Sequence, residues 1–203
     1  MASQGKRGRF DSSRRRASRR YRKMFVIAAE GSVTELTYMS LVGAIGSNVR
    51  VHCLRKGDKN SPSQVLQRME QFLKSEGLRT TDEAWVVVDT DAWTAEDLQS
   101  LHSWSTERCN HGLAVSNPKF EFWLLLHFDS GNGAATATEC DRRLKKHLPA
   151  YDKRVEPSKF PRDRIDAAIE RARSRDTPAC SDWPRNPPGT TVYRLVERVL
   201  AVN

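Results

Sequence analysis

Cysteine, histidine and long apolar runs are scarce in this 203-residue chain, and each scarcity excludes a class of protein. The four cysteines form no C-x-x-C pair, so we expect neither a zinc site nor a disulfide framework. No apolar run approaches the roughly 18 residues of a membrane span, and the first residues lack the apolar stretch of a secretory signal. We therefore expect no membrane partner and a cytoplasmic location, although an Arg- and Ser-rich start is also typical of a transit peptide.

Positive charge is concentrated at the start of the chain. Residues 1–23 contain ten Lys or Arg against one acid, Asp11, which accounts for the whole net charge of +9. We interpret residues 1–22 as a disordered basic arm that contacts the phosphate backbone of a nucleic acid without reading its sequence. A solvated arm without a partner is the alternative interpretation.

Apolar segments suited to buried strands alternate with helical segments over much of the remaining chain. Strands are predicted at residues 23–29, 49–54, 84–89 and 112–116. Helices are predicted at residues 34–45, with Thr34 as cap and Gly46 as end, and at 61–76, closed by Gly77. Two more are predicted from Thr94, in a capping box with Asp97, towards Cys109, and from Pro118 through "KFEFWLLLHF". This order predicts an α/β fold with a mainly parallel sheet flanked by helices.

The composition changes after the loop "DSGNGAATAT". Three more helices are predicted at about 138–148, 162–175 and 190–202, separated by Pro-rich loops. We interpret residues 23–203 as one domain, with a core of about 23–130 and a helical elaboration of about 131–203 packed on the sheet.

Acidic residues gather around the ends of the predicted strands. Glu30 comes directly after the first strand, and the third strand ends in Asp89, with Asp91 two positions later. Glu35 follows in the first helix, and Glu121 lies near the start of the fourth helix. Because the carboxyl ends of parallel strands share one edge of a sheet, we expect these five carboxylates near a common rim.

Five carboxylates packed together repel one another unless a cation lies between them. Mg²⁺ or Mn²⁺ fits best, because both prefer oxygen ligands and few histidines accompany the acids. Each acid taken alone is explained equally well by helix-dipole complementarity or by a solvated turn. A strand-end Glu combined with a strand-end D-x-D predicts a divalent-metal site.

Five blocks occur in this order: "EGSVTELTY", "VVVDTDAW", "SNPKFEFWLLLHF", "YDK" and "NPPGTTVYRLVE". They resemble the signature blocks of the RloB family, TOPRIM-like bacterial proteins linked to restriction and phage-defence gene neighbourhoods. The resemblance spans roughly residues 21–200, which makes it far more specific than a lone D-x-D. Met39 and the Gly189 insertion depart from the family pattern without touching a carboxylate.

The resemblance implies a TOPRIM-like fold and a role for each acid. Glu30 would be the TOPRIM acid, with Glu35 as its partner in catalysis. Asp89 and Asp91 would be the D-x-D metal ligands. Glu121 resembles the later acid with which related nucleases complete a second metal site.

Other residues of the blocks have both functional and ordinary explanations. Lys153 matches a family lysine and would stabilise charge on the scissile phosphate, or is simply solvated. Tyr38 lies at helical spacing, so we interpret it as packing and reject a topoisomerase nucleophile. His127 is either a core or rim histidine or a neighbour of the active site. Ser116 and Asn117 would orient the segment that carries Glu121.

The sequence favours a divalent-metal-dependent nuclease that cleaves RNA, tRNA among the candidates, or DNA in anti-phage defence. The alternative is a nucleic-acid-binding or regulatory subunit that does not cleave and docks on an ATPase, since family members often lie beside ATPase genes. A primase-like nucleotidyl transferase is a third hypothesis, weakened by the lack of a separate nucleotide-binding loop.

Overall fold

The computed structural model describes residues 22–46, 48–55, 62–91 and 93–202. The predicted basic arm therefore lies outside the described residues, except for Arg22. In the described chain, five strands form one sheet: β1 (Lys23–Ala29), β2 (Val49–Cys53), β3 (Glu83–Asp89), β4 (His111–Asn117) and β5 (Gly189–Thr190). Their order is β2-β1-β3-β4-β5, and only the short β5 runs antiparallel. The predicted α/β fold with a mainly parallel sheet is confirmed.

Helices follow each of the first four strands and make up most of the rest of the chain. They are α1 (Thr34–Ile45), α2 (Pro62–Glu76), α3 (Ala95–Thr106), α4 (Phe120–Leu125), α5 (Ala137–His147), α6 (Arg162–Arg175) and α7 (Val192–Leu200). A short 3₁₀ turn, Pro157–Lys159, precedes α6. No helix among the described residues combines the length and the apolar character that crossing a bilayer requires.

The sheet is buried on both faces, as expected for parallel strands covered by helices. In β1, Phe25 and Ile27 belong to one apolar cluster, which also contains side chains of α1, α4, α6 and α7. The alternating residues Val26 and Ala28 belong to a second cluster, with side chains of α2 and α3. The period of two along an extended strand produces this division, and it explains why β1 is apolar throughout.

Three helix starts were predicted wrongly. Thr34 is the first residue of α1 and not its cap; Val33 holds the cap position without a side-chain hydrogen bond. The helix predicted from Pro118 begins at Phe120, because the backbone of Lys119 is still extended, with φ −155° and ψ 166°, and it ends at Leu125, before the predicted end at Phe128. Thr190, predicted as helical, pairs with Ser116 in β5, and α7 begins only at Val192.

Other boundaries were predicted correctly. Thr94 caps α3 through the expected capping box with Asp97, although α3 ends at Thr106, before Cys109. Gly46 caps α1. Gly77 follows α2 with φ +69°, a left-handed conformation that glycine adopts without strain.

The strand order determines where a ligand crevice can form. The chain leaves β1 for β2 on one side of the sheet and returns to β3 on the other side of β1. At such a reversal the connections after neighbouring strands separate, and a crevice opens at their carboxyl ends. Glu30 follows β1 and Asp89 ends β3, so both lie at the edge of this crevice.

Candidate metal centre

The backbone brings the predicted acids to one edge of the sheet. The amide of Glu30 donates to the carbonyl of Val87 at 3.1 Å, so Glu30 lies beside the end of β3. Glu35 and Glu121, in the first turns of α1 and α4, are only 7% and 8% exposed. Glu30 and Asp89 are half-buried, and Asp91 is exposed.

Asp89 lies at the centre of the acidic group. Its Oδ1 is buried, and no hydrogen-bond donor among the described residues reaches it. Burial raises the pKa of Asp89 well above its ordinary value. The negative charges of four neighbours raise this pKa further: Glu35, Glu30, Glu121 and Asp91. A buried carboxylate oxygen without a hydrogen-bond donor lowers the stability of the folded protein. A bound cation would compensate for this and would also reduce the repulsion among the neighbouring carboxylates.

Glu35 folds back over the turn that follows β1. A Cβ atom added at Gly31 would overlap the Glu35 carboxylate, so the glycine provides the space for it. Burial raises the pKa of Glu35, while backbone hydrogen bonds at Glu35 and Gly31 act in the opposite direction. The charges of Glu121 and Glu30 add to the increase. The E-G pair thus allows a second acid to pack against the strand end.

Trp93 orients Glu30. Its indole Nε1 donates to Glu30 Oε2 at 2.5 Å, and the ring itself is 9% exposed. The sequence alone indicated no role for Trp93 at the site. The signal was its place in the D-x-D block, two residues after Asp91.

Glu121 is held by two residues that sequence reasoning also missed. Tyr151 donates its hydroxyl to Glu121 Oε1 at 3.1 Å. The Lys119 ammonium lies 3.5 Å from Glu121 Oε2 and 3.0 Å from Asp141 Oδ1. Tyr151 belongs to the "YDK" block and Lys119 to "SNPKFE", so both blocks contain more contacts with the acids than the sequence indicated.

Lys153 contributes its backbone to the neighbourhood of the site. Its carbonyl accepts a hydrogen bond from Thr34 Oγ1 at 3.0 Å, and Thr34 Oγ1 also lies 3.1 Å from the Tyr151 hydroxyl. The side chain is exposed, and its ammonium forms no ion pair with any residue in the described ranges. A role for Lys153 at a phosphate stays a prediction.

Tyr38 and His127 are core residues. Tyr38 is fully buried, and its hydroxyl lies 2.9 Å from His127 Nε2. His127 Nδ1 lies 3.0 Å from the carbonyl of Trp123, so Nδ1 carries the proton and Nε2 accepts from Tyr38. Burial lowers the pKa of His127 to about 3, which keeps it neutral. The interpretation of Tyr38 as packing and the core interpretation of His127 agree with these contacts.

Ser116 and Asn117 join the end of β4 to the last part of the chain. The Ser116 hydroxyl lies 3.0 Å from Thr190 Oγ1. The Asn117 side-chain amide donates to the carbonyl of Pro184 at 2.9 Å. Both contacts fix the turn that leads from β4 into α4, where Glu121 lies.

The acidic group has the donor chemistry of a Mg²⁺ or Mn²⁺ site. All its candidate ligands are carboxylates, and the buried Asp89 Oδ1 has no hydrogen-bond partner among the described residues. Within the described ranges, however, no three His, Cys, Asp or Glu side chains are already arranged as a ligand set. Binding would therefore require the exposed or half-exposed carboxylates, Asp91 and Glu30, to rotate towards Asp89.

Comparison with known proteins identifies one family. A family model described as "RloB-like protein" matches residues 25–199. The matched range contains all five acids, together with Lys119 and Tyr151. No curated protein matches the chain, and no solved structure matches it.

Proposed function

This chain belongs to the RloB-like family, and we propose that it is a divalent-metal-dependent nuclease. It would hydrolyse phosphodiester bonds of RNA, with tRNA as one candidate, or of DNA, and would act in defence against phage. One observation carries the proposal: the buried Oδ1 of Asp89 has no donor among the described residues, and the charges of four other carboxylates act on this side chain at the carboxyl ends of parallel strands. The carboxylates of such a group repel one another, and a bound divalent cation reduces this repulsion.

Glu30, Asp89, Asp91 and Glu121 are the residues that would hold the cation. When bound, Mg²⁺ or Mn²⁺ polarises a phosphoryl oxygen and lowers the pKa of an attacking water. The chain itself supplies orientation. Trp93 fixes one oxygen of Glu30, and Tyr151 fixes one oxygen of Glu121.

Glu35 has a different place in the mechanism. It is buried against Gly31 with a raised pKa, caused mainly by burial, and backbone hydrogen bonds hold it at the turn. A carboxylate with a raised pKa is suited to accept a proton near neutral pH. Glu35 would therefore take a proton from the attacking water, whereas Lys153, exposed beside Tyr151, would reach an outer phosphate oxygen.

A cleavage assay tests the proposal. Purified protein is incubated with labelled tRNA, single-stranded DNA and plasmid, each with Mg²⁺, Mn²⁺ or EDTA. The Glu30→Gln, Asp89→Asn double variant should lose cleavage by at least ~1,000-fold, because both strand-end ligands are neutralised. A control that neutralises two exposed acids, Glu70→Gln with Asp163→Asn, should keep full activity. Cleavage that persists in the double variant, or in EDTA, would contradict the proposal.

A non-cleaving subunit that binds nucleic acid or regulates an ATPase is the second candidate. One observation favours it: in the described part of the chain the acids are not yet arranged as a metal ligand set. Protein that binds RNA but stays inert in every arm of the assay, and gains no thermal stability from Mn²⁺, would support this candidate.

A further inference from the structure

Lys119 brings a fixed positive charge into the acidic group. Its ammonium lies 3.0 and 3.1 Å from the two oxygens of Asp141, and 3.5 Å from Glu121 Oε2. The Lys119 side chain is 19% exposed, so it is not a freely moving surface cation. The extended backbone of Lys119, just before α4, directs the side chain back across the first turn of the helix towards α5, which carries Asp141.

Both oxygens of Glu121 are engaged by residues of this chain. Oε1 accepts from the Tyr151 hydroxyl at 3.1 Å, and Oε2 faces the Lys119 ammonium. Tyr151 is held in turn by Thr34 at the start of α1. Glu121 is therefore the acid of the group whose charge is already balanced from within the protein. Asp89 differs, since its Oδ1 has no donor among the described residues.

The ammonium lies beside one of the two acids that remain for a second metal ion. A two-metal centre needs two divalent cations about 4 Å apart, and with Glu30, Asp89 and Asp91 on the first cation, the second would need Glu121 or Glu35. A cation placed on Glu121 Oε2 would meet the Lys119 ammonium, which lies 3.5 Å from that oxygen. Like charges at such distances repel strongly in a partly buried site.

We infer that Lys119 replaces the second metal ion, so that the centre binds a single divalent cation between Glu30, Asp89 and Asp91. This inference rests on the proposed metal site and narrows it, because Glu121, engaged by Lys119 and Tyr151, is then not a ligand of the cation. Lys119 is a positioning residue, because it acts on metal binding through Glu121. During cleavage its ammonium would supply, beside Glu121, the positive charge that a second ion provides in two-metal enzymes.

A Mn²⁺ titration tests the inference without measuring activity. Full-length protein is titrated at equilibrium, and free Mn²⁺ is quantified by electron paramagnetic resonance. The Glu30→Gln, Asp89→Asn variant defines the binding that occurs outside the acidic group. We expect one Mn²⁺ per wild-type chain. Lys119→Met, which keeps the length and removes the charge, should bind a second Mn²⁺ at least ~10-fold more tightly than wild type does.

Three variants make the result specific. Lys119→Arg keeps the charge and should bind one Mn²⁺, as wild type does. Lys74→Met removes an exposed lysine of α2 and should also bind one. Lys119→Gln repeats the charge removal with a polar side chain, so that poor folding of Lys119→Met, detected by circular dichroism, does not prevent the comparison.

Each outcome separates the two claims. Two Mn²⁺ per wild-type chain, or a single Mn²⁺ in both neutral variants, would overturn the role of Lys119 and leave the metal-dependent nuclease standing. No Mn²⁺ bound by the wild-type chain would overturn both the inference and the proposed function. One Mn²⁺ in wild type and two in the neutral variants supports the inference.

Discussion

Gly31 and Glu35 show how one small residue makes room for a charged one. The Glu35 carboxylate occupies the space that a Cβ at residue 31 would take. The backbone of Gly31 does not have the positive φ found at Gly77, so its requirement is for space and not for an unusual conformation. The carboxylate is thereby fixed close to Glu30 and Glu121, whose charges act on it.

The first prediction follows from this contact. Gly31→Ala should displace the Glu35 carboxylate and reduce cleavage by at least ~10-fold, because the acid leaves its place against residue 31. The free energy of unfolding should change by less than about 1 kcal/mol, since the turn is half-exposed. Kinetic assays and urea unfolding measure the two quantities. In a Glu35→Ala background the same substitution should have no further effect on cleavage; an equal loss in both backgrounds would refute the explanation.

His127 gives a second prediction, on pH dependence. Burial lowers its pKa from 6.5 to about 3, so the unfolded chain binds a proton below pH 6.5 that the folded chain does not bind. The stability that neutral His127 provides is complete above pH 6.5 and is lost as the pH falls towards 3. Between pH 6.5 and pH 5, a span of about 1.5 units, this group should cost about 2 kcal/mol of unfolding free energy.

Urea unfolding at pH 7 and pH 5, in EDTA, measures this effect. His127→Phe should be less stable at pH 7, because the Tyr38 hydroxyl loses its partner, and should lose about 2 kcal/mol less than wild type on acidification. The half-exposed His102, replaced by Gln, serves as the control for removing a histidine outside the core. An unchanged slope in His127→Phe would show that His127 is not neutral in the folded protein.

The acids themselves were predictable from sequence, and their partners were not. Strand-end positions follow from the local apolar pattern, and parallel topology then places them at one edge. The contact of Trp93 with Glu30 joins residues 63 positions apart, and that of Tyr151 with Glu121 joins residues 30 positions apart. Such contacts depend on how helices pack on the sheet, which composition and spacing do not specify.

At the scale of the elements, an ion pair joins α7 to the edge of the sheet opposite the candidate site. The buried Glu83 at the start of β3 accepts from Arg198 Nε of α7 at 2.7 Å and from Trp85 Nε1 at 2.8 Å. Lys23 of β1 pairs with the same carboxylate. Burial by itself raises the pKa of Glu83, but the hydrogen bonds from Arg198, Lys23 and Trp85 outweigh burial and lower it.

Glu83→Gln is therefore a stability prediction without a functional effect. It should reduce the free energy of unfolding by about 2 kcal/mol at pH 7, because the buried Trp85, the half-buried Lys23 and the exposed Arg198 lose their charged acceptor. The lowered pKa means that this stabilisation is present above pH 4.5 and is lost as the pH falls below it. Urea unfolding at pH 7 and pH 4 should show a smaller difference between variant and wild type at pH 4.

Glu170→Gln is the matched control for this prediction. Glu170 pairs with Arg173 on the exposed face of α6, where the two side chains are 69% and 49% exposed. An exposed pair of this kind contributes about 0.5 kcal/mol or less. In this account Glu83 contributes to stability only, and the acids at the opposite edge of the sheet bind the metal. Equal losses of unfolding free energy in the two variants, or reduced Mn²⁺ binding in Glu83→Gln, would contradict it.

The elements that were predicted correctly are the ones with strong local signals. The four parallel strands carry unbroken or alternating apolar runs, and α2 and α3 carry clear end signals in Gly77 and Thr94. The two-residue β5 has no pattern of its own and exists only because Ser116 and Asn117 offer an edge to pair with. A strand of this kind follows from tertiary packing and not from propensity.

At the scale of the whole molecule, strand order converts distant sequence blocks into one site. The order β2-β1-β3-β4 makes β1 and β3 neighbours in the sheet. In the sequence, 53 residues lie between the end of β1 and the start of β3. Glu30 and Asp89 meet because of that adjacency, and α1 and α4 add Glu35 and Glu121 from the connections that follow β1 and β4. Fold class was predictable from the alternation of elements, whereas the side-chain arrangement at the rim depends on how the helices pack on the sheet.

The two edges of the sheet differ in how their acidic side chains are paired with donors and cations. At the carboxyl edge, carboxylates outnumber nearby cations, and the central acid lacks a donor within the described residues. At the opposite edge, Glu83 is matched by donors from three elements. Acids that lack hydrogen-bond donors are expected at a ligand-binding site. Repulsion between them lowers the stability of the fold, and it is tolerated at positions where the acids bind a ligand.

A crystal structure with Mn²⁺, with data collected at the manganese absorption edge, tests the central claim most directly. We predict an anomalous peak at the β1–β3 crevice, bound by oxygens of Glu30, Asp89 and Asp91, with the Asp89 Oδ1 among its ligands. No peak there in a crystal that diffracts well, or carboxylates that still point apart in saturating Mn²⁺, would contradict the account.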